Sequence, residues 1–268
     1  FPHIGNVGCN AEDVESHPFE NGQTRGAVGL VVREDITEPS NFRSQIHLNG
    51  WLKERGIAGI CGVDTRALTR HIRQNGAQNG VVFRLQDAGF KAQVEGLLAE
   101  VKHFPSMKGK ELAQEVSTAH SYEWNKPLWK LNPESCILNP ESYHVVALDY
   151  GCKLNILRNL AENGCKVTVL PAKSTAEEVL ALLPDGIFLS NGPGDPAATG
   201  EYALPVIKNL MEHSIPIFGI CLGHQLLGLA LGGKTVKMPQ GHRGANHPVK
   251  ELSTGRVMIT SQNHGFAV

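Results

Sequence analysis

Gly219-Ile220-Cys221-Leu222-Gly223-His224-Gln225 sets a cysteine between two glycines, each two residues away, where an apolar strand-like stretch meets an apolar helix-like one. This is the context of a nucleophile elbow with Cys in place of Ser, and the glycines leave room for a turn too tight for neighbouring side chains. A sulfur at a helix N-terminus has free N–H groups and the positive end of the helix dipole beside it, which favour thiolate over thiol. In the same place the Leu222 N–H can donate to an oxyanion. The competing reading of Cys221 is a buried, inert thiol, the commoner fate of a cysteine.

Two further stretches follow strand-like runs. In Ser190-Asn191-Gly192-Pro193-Gly194-Asp195-Pro196 the glycines let the backbone turn its N–H groups toward an incoming oxygen while the prolines stiffen the loop. An ordinary turn reads the same way. In Ser261-Gln262-Asn263-His264-Gly265-Phe266, after a strand Val257 to Thr260, Asn263 offers an amide, Gly265 an open backbone and Phe266 an apolar wall, a set suited to gripping an amino acid. A surface turn is the alternative there too. Gln225, one turn past Cys221, either presents its amide to the same pocket or faces solvent. His224 and His264 read as structural before they read as bases, because a base must reach the sulfur from a direction that leaves space for substrate.

Elements that can hold these residues follow from the hydrophobic pattern. From His144 the chain alternates short apolar runs with helical stretches: strands at His144 to Leu148, Lys166 to Leu170, Gly186 to Leu189, Ile215 to Ile220 and Thr235 to Met238. Helices fall at Lys153 to Glu162, Thr175 to Leu183, Tyr202 to His213 and Leu222 to Leu231. Continuous apolar strands separated by helices require a parallel sheet covered on both faces, so the expected fold is α/β, doubly wound, with ligands at the carboxyl ends of the strands. Upstream, Gly29 to Arg33 and Ile57 to Cys61 read as strands, and Asp64 as the N-cap of a helix through Arg73 that Gly76 ends. The glycine-rich opening Ile4 to Asn10 precedes no helix and reads as a tight turn rather than a phosphate loop. Between Trp124 and Tyr143 the phrase Asn-Pro-Glu-Ser occurs twice, and its prolines disfavour regular structure. The expected organisation is a smaller α/β domain over 1–123, a linker over 124–143 and the doubly wound domain over 144–268.

Composition narrows the function classes. At 268 residues and 41% hydrophobic the chain can bury a core, and two domains suit its length. With 25 Lys plus Arg against 26 Asp plus Glu, the net charge of -1 supplies no field to draw in nucleic acid or anionic lipid. The six cysteines form no C-x-x-C pair and no regular framework, which fits reduced thiols in the cytoplasm and offers no metal site. No run is long and apolar enough to span a membrane. The start at Phe1 rather than Met implies that the gene product begins elsewhere.

Taken together, Ser190 to Pro196, Gly219 to Leu227, Gly233 to Met238 and Ser261 to Val268 resemble the class I, or triad, glutamine amidotransferases. Upstream, Pro2 to Gly8, Gly62-Val63-Asp64-Thr65-Arg66 and Gly76-Ala77-Gln78-Asn79-Gly80 resemble the N-terminal domain peculiar to the carbamoyl-phosphate synthase small-subunit family. The resemblance implies that Cys221 attacks the glutamine side-chain amide to give a glutamyl thioester and ammonia. It implies that Leu222, Gly192 and Gly194 supply backbone donors, and that Gln225, Asn263, Gly265 and Phe266 line the glutamine pocket. It implies a large-subunit partner that holds ATP and Mg and makes carbamoyl phosphate for arginine and pyrimidine synthesis, with no cofactor on this chain. The family's base, a His-x-Glu pair, lies beyond the Asn-His-Gly-Phe stretch, so the sequence to Val268 is expected to be catalytically incomplete. Two other classes fit the elbow: a non-catalytic interaction or regulatory domain, and another cysteine hydrolase such as a peptidase.

Overall fold

The computed structural model describes residues 4–15, 26–83, 90–130 and 143–268. The repeated Asn-Pro-Glu-Ser phrase, Cys136, Pro2 and His3 lie outside them. The chain forms two compact units, Phe1–Ser106 and Met107–Val268.

In the first unit β1 (Gly29–Val31) pairs in parallel with β2 (Ala58–Ile60), and the helices are α1 (Leu48–Glu54), α2 (Thr65–Asn75) and α3 (Phe90–His103). The Asp64 carboxylate caps α2, accepting from the N–H groups of Arg66 and Ala67 at 3.1 and 3.0 Å, and Gly76 ends the helix with φ 81°. The glycine-rich opening is a turn closed by Gly8 N–H donating to Gly5 C=O at 2.8 Å.

The second unit begins with α4 (Ala113–Val116) and β3 (Tyr122–Trp124). It continues through β4 (His144–Asp149), α5 (Leu154–Glu162), β5 (Lys166–Pro171), α6 (Ala176–Ala181) and β6 (Gly186–Leu189). Next come α7 (Pro196–Met211), β7 (Ile217–Gly219), α8 (Leu222–Ala230) and the hairpin of β8 (Val236–Lys250) and β9 (Val257–Ala267). The central sheet runs β3-β5-β4-β6-β7, with β4 to β7 parallel and β3 antiparallel at one edge. This is a mixed α/β fold with a mostly parallel sheet.

The pleat sorts the apolar strand residues by parity. Val146, Leu148, Ile187 and Leu189 pack on one face against Ile207, Leu210, Leu222 and Leu226. Ala147, Val167, Val169 and Phe188 pack on the other against Leu154 and Leu157. Each large side chain so buried contributes about 1.5–3 kcal/mol.

Four expectations differ from the structure. The first domain was expected to run to residue 123, but the units divide after Ser106. Residues past that point are tied to the central sheet and to the cap of α7 by polar contacts invisible to hydropathy. Gly109 N–H donates to Asp195 at 2.8 Å, Thr118 N–H donates to Asp149 at 2.7 Å, and Tyr122 to Trp124 pair with β5. The helix expected from Tyr202 begins at Pro196, because Asp195 caps it and proline suits the first helical position. The strand expected over Thr235 to Met238 extends to Lys250, and the turn expected after Thr260 is strand through Ala267. Pro239, Gly241, Gly244 and Pro248 look like breakers, yet a two-stranded ribbon with register shifts between Lys237 and His242 and between Gly244 and His247 accommodates them.

Candidate active site

Strand β7 ends at Gly219, and two residues later Cys221 stands as the N-cap of α8 with φ 54° and ψ -106°. A side chain at Gly223 would place its Cβ 2.1 Å from the Leu189 carbonyl oxygen, and one at Gly219 would lie 2.5 Å from the Gly223 carbonyl carbon. The two glycines are therefore steric requirements of the elbow. Gly223 N–H donates to the carbonyls of Ser190 and Ile220, both at 3.0 Å, which fastens the turn to the loop after β6. A non-glycine residue at such a φ costs about 1–3 kcal/mol, and it persists because the surrounding packing dictates it.

The sulfur is half-buried. Its thiol donates to the main-chain carbonyl of Asn263 at 3.8 Å. The backbone amides of Leu222 and Gly192 both act to lower its pKa. Burial raises the thiol's pKa above its ordinary value, outweighing the lowering by the Leu222 amide, the Arg243 charge and the Gly192 amide. The sequence argument that a helix N-terminus favours thiolate holds for the Leu222 amide but leaves out burial. The amides act in the expected direction, but loss of water around the sulfur is the larger effect.

The loop after β6 brings Gly192 to the thiol because glycine alone fits there. A Cβ would lie 2.1 Å from the Tyr150 carbonyl oxygen. Ser190, 0% exposed, accepts from Tyr150 N–H at 2.9 Å. Asn191 accepts from Lys153 N–H at 2.9 Å and donates to the Gly151 carbonyl at 3.0 Å, tying this loop to the one after β4. Gly194, at φ 97°, pairs with Glu111 rather than with the elbow, and its Cβ would lie 2.8 Å from the Lys110 carbonyl oxygen.

The remaining predicted residues gather on the same side. Gln225 is 6% exposed, not solvated, and donates from Nε2 to the Phe266 carbonyl at 2.8 Å. Phe266 is 5% exposed, with Lys237 Nζ 5.7 Å from its ring centroid. Asn263 is exposed on β9 opposite Arg243. Gly265 lies against Lys237 Nζ and Arg243 Nη2, each 3.5 Å from where its Cβ would be.

His264 is held within the hairpin: Nδ1 lies 2.8 Å from the Phe266 carbonyl, and Nε2 lies 3.0 Å from both His242 Nδ1 and Gln262 Oε1. His224 is exposed on α8. Sequence reasoning singled out none of Arg243, Lys237 and His242 individually, although Lys237 lies in the Gly233 to Met238 stretch; the signal that brings all three to the site is the pairing register of the hairpin. Among the described residues no group of three or more His, Cys, Asp or Glu is arranged to hold a metal.

Comparison with known proteins agrees with this geometry. Residues 146–268 match the family described as Glutamine amidotransferase class-I, and residues 1–82 match Carbamoyl-phosphate synthase small chain, CPSase domain. The carbamoyl phosphate synthase small chain of Rhizobium meliloti (strain 1021) is 57% identical over 270 residues, covering 100% of this chain and 66% of that protein. Its counterpart in Bradyrhizobium diazoefficiens is 52% identical, with 100% and 67% covered. That of Zymomonas mobilis is 54% identical, with 100% and 70% covered. The chain thus spans about two thirds of the length of the relatives it matches. With an elbow cysteine, its loop glycines and its hairpin in place, and identity above half along its whole length, the chain belongs to the carbamoyl phosphate synthase small chain family.

Proposed function

We propose that this chain is the glutamine-hydrolysing part of a carbamoyl-phosphate synthase, with Cys221 as nucleophile. The observation that carries the reading is a cysteine held at a strained strand-to-helix turn that only flanking glycines permit, with the main-chain amides of Leu222 and Gly192 acting to favour its thiolate. In this chemistry the thiolate attacks the carbon of the glutamine side-chain amide, and the developing oxyanion takes hydrogen bonds from those N–H groups. The C–N bond breaks as ammonia leaves with a proton. Water then cleaves the thioester to glutamate and frees the sulfur. Gln225, Asn263, Gly265 and Phe266 form the glutamine side of the pocket, and Gly194 contributes through the loop it shapes.

The thiol proton needs an acceptor. The family resemblance assigns that role to a His-x-Glu pair following the Asn-His-Gly-Phe stretch, and His264, committed to the hairpin, is not its substitute. The ammonia is delivered to a large-subunit partner in the cytoplasm, which holds ATP and Mg and forms carbamoyl phosphate for arginine and pyrimidine synthesis. This chain carries no cofactor, metal, nucleic-acid or membrane site in that scheme.

Alkylation with iodoacetamide, read residue by residue by mass spectrometry on the full-length protein, tests the reading. Glutamine should protect Cys221 selectively, and a glutamine-mimicking electrophile should label it ahead of the other cysteines. Uniform labelling, or no protection by glutamine, sinks it. One feature favours the alternative of a non-catalytic interaction domain, namely that burial raises the thiol's pKa rather than lowering it. That alternative requires the full-length protein to bind its partner and show no glutaminase activity.

A further inference from the structure

Arg243 is the charged side chain nearest in register to the nucleophile's own contact. It sits on β8 directly opposite Asn263, whose carbonyl receives the Cys221 thiol. Its Nη1 donates to the carbonyl of His242 at 2.9 Å and, across the hairpin, to the carbonyl of His264. The sequence leaves space for this fork. At Gly241, φ 68°, a Cβ would lie 2.3 Å from the His264 carbonyl oxygen and 3.0 Å from Nη1. At Gly265 a Cβ would meet Nη2 at 3.5 Å.

We infer that Arg243 is a positioning residue for the Cys221 reaction: it clamps β9 through the His264 carbonyl and holds a permanent positive charge beside the nucleophile. Arginine suits both tasks, being always charged and able to bond two carbonyls at once. The titratable groups on the elements around the sulfur include His224 on α8, Lys237, His242, His247, Lys250 and His264 on the hairpin, and Asp195, Glu201, Tyr202 and Lys208 at the cap of α7 and along it. Of these and Arg243, it is the Arg243 charge that acts to favour thiolate, against the burial that opposes it.

The inference rests on Cys221 being the reactive thiol, and its test separates the two. The rate of Cys221 alkylation against pH is measured on the full-length protein for the unmutated chain, Arg243→Gln and Arg243→Lys. Arg243→Gln keeps a donor for the carbonyl without the charge, and Arg243→Lys keeps the charge without the fork. With Arg243→Gln the midpoint should rise by about half a unit, slowing alkylation at pH 8 by roughly threefold, while Arg243→Lys stays near the unmutated value.

An unchanged midpoint in Arg243→Gln, or an equal rise in Arg243→Lys, overturns the inference while leaving glutamine protection of Cys221 intact. If instead glutamine protects nothing in the unmutated chain, the functional reading itself has failed. Should Arg243→Gln not fold, the unmutated protein still decides. Its midpoint must rise between about 0.05 and about 1 M salt as the arginine is screened, and no rise overturns the charge role.

Discussion

At the scale of single residues, Cys221 is held in a backbone conformation that favours glycine, and function and stability part company there. Cys221→Gly should raise the stability of its unit by about 1–3 kcal/mol by relieving the positive φ, whereas Cys221→Ala should not, though both abolish thiol chemistry. Urea denaturation of the two variants side by side checks this, and a Cys221→Gly protein no more stable than Cys221→Ala contradicts it. Gly223→Ala is the converse case. With the Leu189 carbonyl 2.1 Å from the new Cβ, it should cost at least about 1–3 kcal/mol and misplace the sulfur, lowering both thermal midpoint and Cys221 alkylation. The elbow was legible in the sequence because its cause is local: two glycines around a cysteine where apolar periodicity changes. The direction of the thiol's pKa was not legible, because it depends on how deeply the folded chain buries the sulfur. Arg243 was equally hidden, being brought opposite Asn263 by a register that no short motif encodes.

Caps decide the elements that carry the site. Asp195 accepts from Ala197 N–H at 2.9 Å at the start of α7 and also from Gly109 N–H at 2.8 Å. Asp195→Ala should therefore cost more than Thr175→Ala, which opens only the capping box of α6 and should cost about 1 kcal/mol. Equal losses in chemical denaturation would show that the Gly109 bond is energetically silent. The parallel strands were readable because each is a nearly continuous apolar run, and α5, α6 and α8 because their apolar spacing is helical. The first turn of α7 was not, since Pro196-Ala197-Ala198-Thr199-Gly200 reads as loop until the Asp195 cap and the buried Thr199 and Gly200 are seen. The hairpin failed for the opposite reason: its prolines and glycines suggest breaks, while cross-strand pairing keeps it extended.

For the molecule as a whole, buried acids of high pKa set a limit on the alkaline side. Burial raises the thiols of Cys152 and Cys221 above their ordinary 9.0, with Asp149 adding to the effect on Cys152, and burial alone raises the phenol of Tyr150 above 10.0. The folded chain thus retains protons that the unfolded chain releases above about pH 9, and stability must fall as pH climbs through that range. Urea titrations followed by circular dichroism should give constant stability from pH 7 to about 8.5 and a decline by about pH 10.5; stability flat across both ranges would refute it. The parallel sheet and its cysteine came from pattern alone. The division after Ser106 did not, because hydrogen bonds from Gly109 to the cap of α7 and from Thr118 to β4, with the pairing of β3 against β5, attach that stretch to the second unit.

The bond from Gln225 to the Phe266 carbonyl joins the hairpin to the helix that opens on Cys221, and the thiol itself leans on the same strand three residues earlier. Two moorings on one strand mean that sulfur and ribbon travel as a pair. Whatever pulls the ribbon sideways, a bound amino acid or a docked protein, re-aims the nucleophile in the same stroke.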